Sequence, residues 1–337
     1  MKAMRIEAWG VENIRPIELP DPRPGPGEAL LRMRAVSINP RDLIMAQGGY
    51  GRMAAQPPLI PLCDGAGEVI ALGEGAVGVA VGDLVCPNYS RTWLQGLAHP
   101  TAHLGAHGGM IDGTACELMS IPAEALVKAP RHLSAREAAT LPCAAVTAWN
   151  AIVEQGDVGE GDRVLIQGTG GVALFALQFA KLRGAEVILI SSSAAKLETA
   201  GALGADHLIN YRETERWDKA ALEITGGVGV DHVVEVGGAG TLDKAINAVR
   251  PSGAISLIGV LGGGEAAVSL GKIVTRNIRL QGVTLGGRDM FERMAAAMAE
   301  HQIRPVIDEQ DFELQELGQA LANLSKGGHV GKVVCEL

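Results

Sequence analysis

The stretch 162–196, DRVLIQGTGGVALFALQFAKLRGAEVILISSSAAK, constrains the fold more than any other part of the chain. Val164, Leu165 and Ile166 read as a short buried strand. Glycines break the run, and apolar residues resume at Leu174, Leu177, Phe179 and Leu182 with helical spacing. Gly184 stops the helix and 187–190 is a second buried strand, so the unit is a βαβ crossover in a parallel sheet. Gly168, Gly170 and Ala173 fall on the pattern G-x-G-x-x-G/A, and each is small for its own reason. Gly168 permits the tight turn, Gly170 lets a pyrophosphate approach bare backbone, and Ala173 lets the helix sit close to the strand. With Thr169, Gly171 and Val172 they place free N–H groups at a helix tip, where phosphates are held. A structural glycine turn in an unrelated α/β protein is the alternative.

The end of the second strand bears on which dinucleotide is held. Sites for NAD carry a carboxylate there for the ribose 2′-hydroxyl, whereas this chain has Ser191, Ser192, Ser193 and then Lys196. Hydroxyls and an ammonium can donate to a 2′-phosphate, and a charge-assisted bond of that kind contributes about 1.5–3 kcal/mol. The expectation is NADPH; the alternative is a solvated serine turn with a surface lysine.

A chain of 337 residues suggests two domains, each with its own core. With 45 glycines and only 3% aromatics, small tightly packed α/β elements fit better than a sandwich. The net charge of -9 argues against a nucleic-acid surface. The N-terminus lacks the apolar core of a signal peptide, and no apolar run reaches membrane-spanning length. Cys63, Cys86, Cys116, Cys143 and Cys335 are an odd, scattered set best read as reduced thiols, so the expected setting is cytoplasmic.

Residues 1–122 read as short strands divided by Pro and Gly, among them 29–36, 67–71, 84–86 and 116–121, making a mostly antiparallel β-rich domain. From 133 to 155 the chain turns helical, with Ser134 capping toward Glu137. Strand and helix then alternate, with further strands at 207–210, 230–236, 254–260 and 278–283, which gives a doubly wound sheet over 123–289. A helix at 289–301, another at 314–324 and a closing strand at 331–337 return to the first domain, so 290–337 completes it. The return makes a junction cleft, a usual place for small-molecule ligands. The apolar strand 254–260 is placed at a sheet edge and pairs across a two-fold axis, giving a homodimer.

Across nearly its whole length the chain resembles the medium-chain dehydrogenase/reductase superfamily, closest to its zinc-independent quinone oxidoreductase and enoyl-reductase branches. The stretches SINPRDLIMAQGGY, PLIPLCDGAGEVIALGEG, VGDLV, LPCAAVTAWNAI, GTGGVA, GALGADHLINY and HVGKVV carry the resemblance. It implies a GroES-like catalytic domain beside the Rossmann domain. Zinc alcohol dehydrogenases of the family hold catalytic zinc with a Cys, a His-Glu pair and a second Cys; the matching positions are Asn39, Cys63-Asp64 and Cys143. Cys63, Asp64 and Cys143 are acceptable zinc ligands by type, but the missing first thiolate and histidine weigh against catalytic zinc. The four-cysteine structural zinc lobe is absent; His99, His103 and His107 lie in the segment that replaces it and read as loop histidines, with a metal site as the rival.

The resemblance further implies a zinc-free NADPH-dependent reductase of quinones or α,β-unsaturated carbonyls. Tyr50 matches the enoyl-reductase proton donor, with a lid residue as the alternative. Asn39 is expected near the nicotinamide carboxamide, with capping of its Asn-Pro turn as the rival, and Thr147 looks like the nicotinamide-side threonine. Arg41 and Asp42 are expected to form a local polar pair that organises their loop. Tyr211 resembles the residue flanking the adenosine phosphate. Val236, Gly237, Gly259, Val260 and Leu261 end two strands where the nicotinamide ribose lies, and Lys332 resembles a cofactor-side lysine or, alternatively, sits on the surface. The other readings of function are an alcohol or aldehyde oxidoreductase and, outside enzymes, a low-turnover NADPH-binding redox sensor.

Overall fold

Residues 28–38, EALLRMRAVSI, alternate inward and outward and then run fully buried, and in the computed structural model they form an 11-residue strand on which the first unit is built. The structure describes residues 1–51 and 54–337. It separates into two units, Met1–Val146 with Gly286–Leu337, and Thr147–Leu285.

In chain order the strands of the first unit are β1 (Lys2–Ile6), β2 (Ile14–Glu18), β3 (Glu28–Ile38), β4 (Asp64–Leu72), β5 (Leu84–Pro87), β6 (Leu118–Pro122) and β7 (Leu126–Lys128). The second unit follows with β8 (Arg163–Gln167), β9 (Glu186–Ser191), β10 (His207–Asn210), β11 (Val230–Glu235), β12 (Val249–Leu257) and β13 (Arg279–Gly282). The chain then returns with β14 (Ile307–Glu313) and β15 (Lys332–Glu336). β1 and β2 form a hairpin; β14-β15-β3-β4-β5-β7 form the main sheet of the first unit, with β6 also on β3. All its pairings but β14–β15 are antiparallel. Because β7 pairs with β5, the first unit runs past Pro122, where the sequence reading ended it, to Val146.

β15 lies antiparallel on β3, setting Val333 opposite Ile38. The core beneath joins Leu31, Val36 and Ile38 to Leu317, Leu321 and Val333. The expected helix at 314–324 begins as a tight turn, Leu314–Glu316, and continues as Leu317–Ser325. Ser134 caps Ala135–Ala138, its backbone N–H donating to Glu137 at 2.8 Å. The chain then winds through wide turns at Leu141–Ala145 and Asn150–Glu154 with five-residue hydrogen-bond spacing. Such turns displace side chains from regular helical positions and recur at functional sites.

The second sheet has the order β10-β9-β8-β11-β12-β13, all parallel. This is the doubly wound arrangement, with its order reversing between β8 and β11. β12 is interior, contrary to the sequence expectation that 254–260 forms an edge: β11 and β13 pair with its backbone on both sides. The edge is β13, whose four residues are all exposed.

Candidate functional site

At the end of β3 the polypeptide reads Ser37, Ile38, Asn39 and then Pro40, which opens the helix Pro40–Ala46. Proline suits a first helical position because its missing N–H is not needed there. Asp42 folds back to accept the Asn39 backbone N–H at 2.8 Å. Asp64 starts β4 opposite Ser37 and is fully buried. A buried carboxylate needs donors, and its Oδ2 has three: Ser37 Oγ at 2.7 Å, Asn39 Nδ2 at 2.9 Å and Lys332 Nζ at 2.9 Å. Lys332, the first residue of β15, is 3% exposed and gives its other hydrogens to Ile38 O at 2.9 Å and Asn39 Oδ1 at 2.5 Å. All three donors of the ammonium are therefore spent inside the cluster.

This geometry revises two expectations. Lys332 is not a surface lysine, and it has no hydrogen left for a cofactor while these bonds hold. Asn39 uses its amide to bind Asp64 and Lys332, which favours the structural rival over direct contact with a nicotinamide.

Beside this cluster lie two thiols and a guanidinium. One ligand atom each of Cys63, Asp64 and Cys143 fall within 4.8 Å of one another. Burial, reinforced by the neighbouring Cys143, pushes the Cys63 thiol well up, against the opposing pull of Arg41. Arg41 and Asp42 do form the expected pair, at 3.3 Å. The Arg41 guanidinium also lies over two rings, 4.9 Å from the centre of Tyr89 and 5.9 Å from that of Tyr50. Burial raises both phenols, Tyr89 to about 12, while the Arg41 charge opposes it. Burial also raises Asp42 to about 6, helped by the charge on Asp64. Nothing in the sequence signalled Tyr89, which reaches this place from the stretch after β5, or Ser37, which meets Asp64 only when β3 pairs with β4.

Two thiols and a carboxylate suit zinc by type. The surroundings do not suit it. Lys332 already neutralises Asp64 at 2.9 Å and the Arg41 charge already acts on Cys63, so a divalent ion would be set against two fixed cations. The two cations beside these ligands, rather than the ligand types, set the site against a catalytic zinc, and no chemistry here is routed through one. His99 bonds Thr101, His107 is buried on Asp112 O, and His103 is exposed; these three form no metal-ligand group among the described residues.

In the second unit the glycine turn is formed as its residues require. Gly168 has φ +82, a conformation costly for any side chain. Gly170 precedes the helix Gly171–Leu182, whose tip carries no side-chain cap, so its N–H groups are left for a ligand. Ala173 is buried against the sheet, and Gly184 ends the helix at φ +81. Thr169 and Ser191 are buried and share a hydrogen bond at 3.3 Å, so Ser191 is spent on holding the turn. Ser193 caps the helix Ala194–Ala202, accepting from Lys196 N at 3.5 Å, and Ser192 is half-buried.

Asn210 pairs with Ser191, which brings Tyr211, 41% exposed, to the same sheet edge. The turns after β11 and β12 are tied together by Gly262 N to Gly237 O at 2.7 Å, and a side chain on Gly259 would strike Val236 O. Val260 and Leu261 are exposed there. Glu235, which the sequence reading passed over, organises this edge: its buried carboxylate accepts from Gln167 and Thr241 and from the N–H groups of Gly237 and Gly238. Thr147 is buried in the helix Val146–Trp149.

A parallel sheet of this order, with an uncapped glycine-entered helix at its first crossover, defines a nucleotide-binding dehydrogenase unit, here joined to a GroES-like β-rich one. Comparison with known proteins gives the same two parts: residues 25–131 match the alcohol dehydrogenase GroES-like domain and residues 171–300 the zinc-binding dehydrogenase model. The chain is 41% identical to a zinc-type alcohol dehydrogenase-like protein of Schizosaccharomyces pombe, covering 98% of this chain and 97% of that protein. It is 27% identical to the acryloyl-coenzyme A reductase of Metallosphaera sedula, covering 94% of each. A crystal structure assigned as an alcohol dehydrogenase from Sinorhizobium meliloti 1021 superposes with a TM-score of 0.93 at 39% identity, covering 100% of this chain and 98% of that one. The chain belongs to the medium-chain dehydrogenase/reductase superfamily and is an oxidoreductase.

Proposed function

We propose that this oxidoreductase uses NADPH to reduce quinones or α,β-unsaturated carbonyls without a metal. The observation that carries the reading is the Asn39–Asp64–Lys332 cluster: a buried lysine and asparagine already satisfy Asp64, and the resemblance matches Asn39, an amide, to the first zinc thiolate. Likeness to the acryloyl-coenzyme A reductase supports an activated double bond as acceptor.

The bound dinucleotide supplies hydride. The N–H groups at the tip of Gly171–Leu182 hold its diphosphate, with Thr169 and Ser191 fixing the turn. Ser192, Ser193, Lys196 and Tyr211 take the 2′-phosphate, and the Val236–Gly237 and Gly259–Leu261 turns receive the ribose. Thr147 orients the nicotinamide. Lys332 and Asn39 act as positioning residues that fix Asp64 and the start of the Pro40–Ala46 helix. Tyr50, held near its neutral form by burial, delivers the proton.

Steady-state oxidation of NADPH with a quinone, an enal and a saturated aldehyde tests this. Turnover of the quinone or enal is expected; turnover of the aldehyde alone overturns the reading. That outcome would favour the second reading, an alcohol or aldehyde dehydrogenase, which the names of several relatives and the Cys63–Asp64–Cys143 grouping support. Stoichiometric zinc in the purified protein would support it too. We further propose a homodimer joined at the exposed β13 edge; Leu280 there is exposed, as are Leu270 and Val274 of the preceding helix. No helix among the described residues is long and apolar enough to cross a membrane, and a cytoplasmic setting fits five free cysteines.

A further inference from the structure

Arg41 is the one member of the first unit's polar cluster whose capacity exceeds its partners. A guanidinium offers five N–H donors in a planar fork. Among the described residues it makes one long contact, 3.3 Å to Asp42 Oδ1, and hydrogen-bonds the Tyr50 hydroxyl. Its other neighbours are the faces of Tyr89 and Tyr50, the thiol of Cys63, and Gly109, where even a methyl group would come within 3.2 Å of Nη2. The side chain is 13% exposed. Asp42 pairs with it through one oxygen only, the other accepting from Asn39, and burial pushes that carboxyl up to about 6. Lys332, by contrast, is saturated. A cation largely withdrawn from water, with most of its donors unspent and two rings beside it, is preorganised for an anionic oxygen.

We propose that Arg41 binds the acceptor's carbonyl oxygen and stabilises the negative charge that develops on it. The inference deepens the reductase reading above and rests on it. Hydride brings two electrons to the β-carbon of an enone, the π pair of the carbon–carbon bond moves to give an enolate, and the charge settles on the oxygen facing the guanidinium. A proton from Tyr50 then arrives at the α-carbon, and Arg41 neither gains nor loses one. The site therefore favours acceptors whose reduction leaves charge on oxygen, and it binds carboxylates in the ground state.

Two measurements test this. First, Arg41→Gln lowers kcat for an enone by on the order of 100-fold, the loss seen when one oxyanion donor is removed. The dissociation constant for NADPH stays within twofold, Arg41→Lys falls between the two, and millimolar guanidinium ion restores Arg41→Ala at least tenfold. Second, calorimetry on the wild-type protein compares crotonate with crotonamide, which differ in charge but hardly in shape; crotonate binds at least tenfold tighter, and the preference is weakened in Arg41→Lys and lost in Arg41→Gln. An Arg41→Gln rate within threefold of wild type, or equal binding of the two probes by the wild-type protein, overturns the assignment. Failure of the wild-type protein to reduce any enone or quinone sinks the reductase reading instead, while the probe comparison still decides whether Arg41 binds anions.

Discussion

Replacing Lys332 by methionine removes one of two buried cations from the first unit while keeping the length of the side chain. Nζ lies 2.9 Å from Asp64 Oδ2, and both groups are almost wholly withdrawn from water. At an effective dielectric constant of about 20 their attraction is roughly 6 kcal/mol. Dehydration of the lysine offsets part of that. The carboxylate keeps its bonds from Ser37 and Asn39, but Ile38 O and Asn39 Oδ1 lose their donor. Orphaning one partner of a buried pair costs about 3–5 kcal/mol. For a unit of about 200 residues, at about 2–4 °C for each kcal/mol, the melting transition should fall by roughly 6–20 °C. Calorimetry gives the shift, and hydrogen exchange of peptides from β3, β4 and β15 localises it. Adding Asp64→Asn to Lys332→Met should recover at least half of the loss, because the charge left unpaired is then gone. A single-variant loss under about 1 kcal/mol, or a double variant as weak as the two single losses added, would refute the reasoning.

Tyr50→Phe should cut the enone rate by at least tenfold with NADPH affinity unchanged; a fall of less than twofold in kcat makes proton donation by that hydroxyl untenable. Lys196→Glu should weaken NADPH ten- to hundredfold, roughly, in a fluorescence titration and leave NADH unaffected or tighter, and equal affinity for both coenzymes in the wild-type chain would remove the phosphate assignment. Burial holds the His232 imidazole down to about 4 against an ordinary 6.5, with Arg279 adding to the effect. The folded protein thus resists a proton that the unfolded chain accepts: this stability is complete above pH 6.5 and drains away as pH falls through 4, by about 3 kcal/mol in all. In His232→Gln the melting temperature of the second unit should vary less across that window, and an unchanged slope would show that another group governs it.

The second unit was largely readable because its signals are local. Val164 to Ile166 is apolar enough to be buried on both faces, Gly168 marks a positive φ, and each later strand repeats the pattern within some 30 residues. Edge order differs from the expectation because the short, exposed β13 pairs outside β12, a long-range pairing that the apolar run 254–260 does not itself encode. The first unit's site was legible by name but not by arrangement. Asn39, Arg41, Asp64 and Lys332 could each be singled out in the sequence, yet their meeting depends on β15 pairing with β3 in one register. A slip of one residue would turn Lys332 to the other face. Tyr89 and Glu235 had no local signature, because each acquires its role from atoms distant in sequence, the Arg41 guanidinium and the Gln167 amide.

The bond from Lys332 to Ile38 spans 294 positions of sequence, and the whole of the second unit lies within that span. During vectorial synthesis the inserted unit, whose core runs from Leu165 to Ile278, has all its strands before the last strand of its host has been made. The nucleotide-binding half can therefore mature on a nascent chain. The first unit stays unfinished until the ribosome has released residue 332 from its tunnel. A premature stop shortly before that point would leave a protein that captures dinucleotide but has Asp64 without its counter-ion.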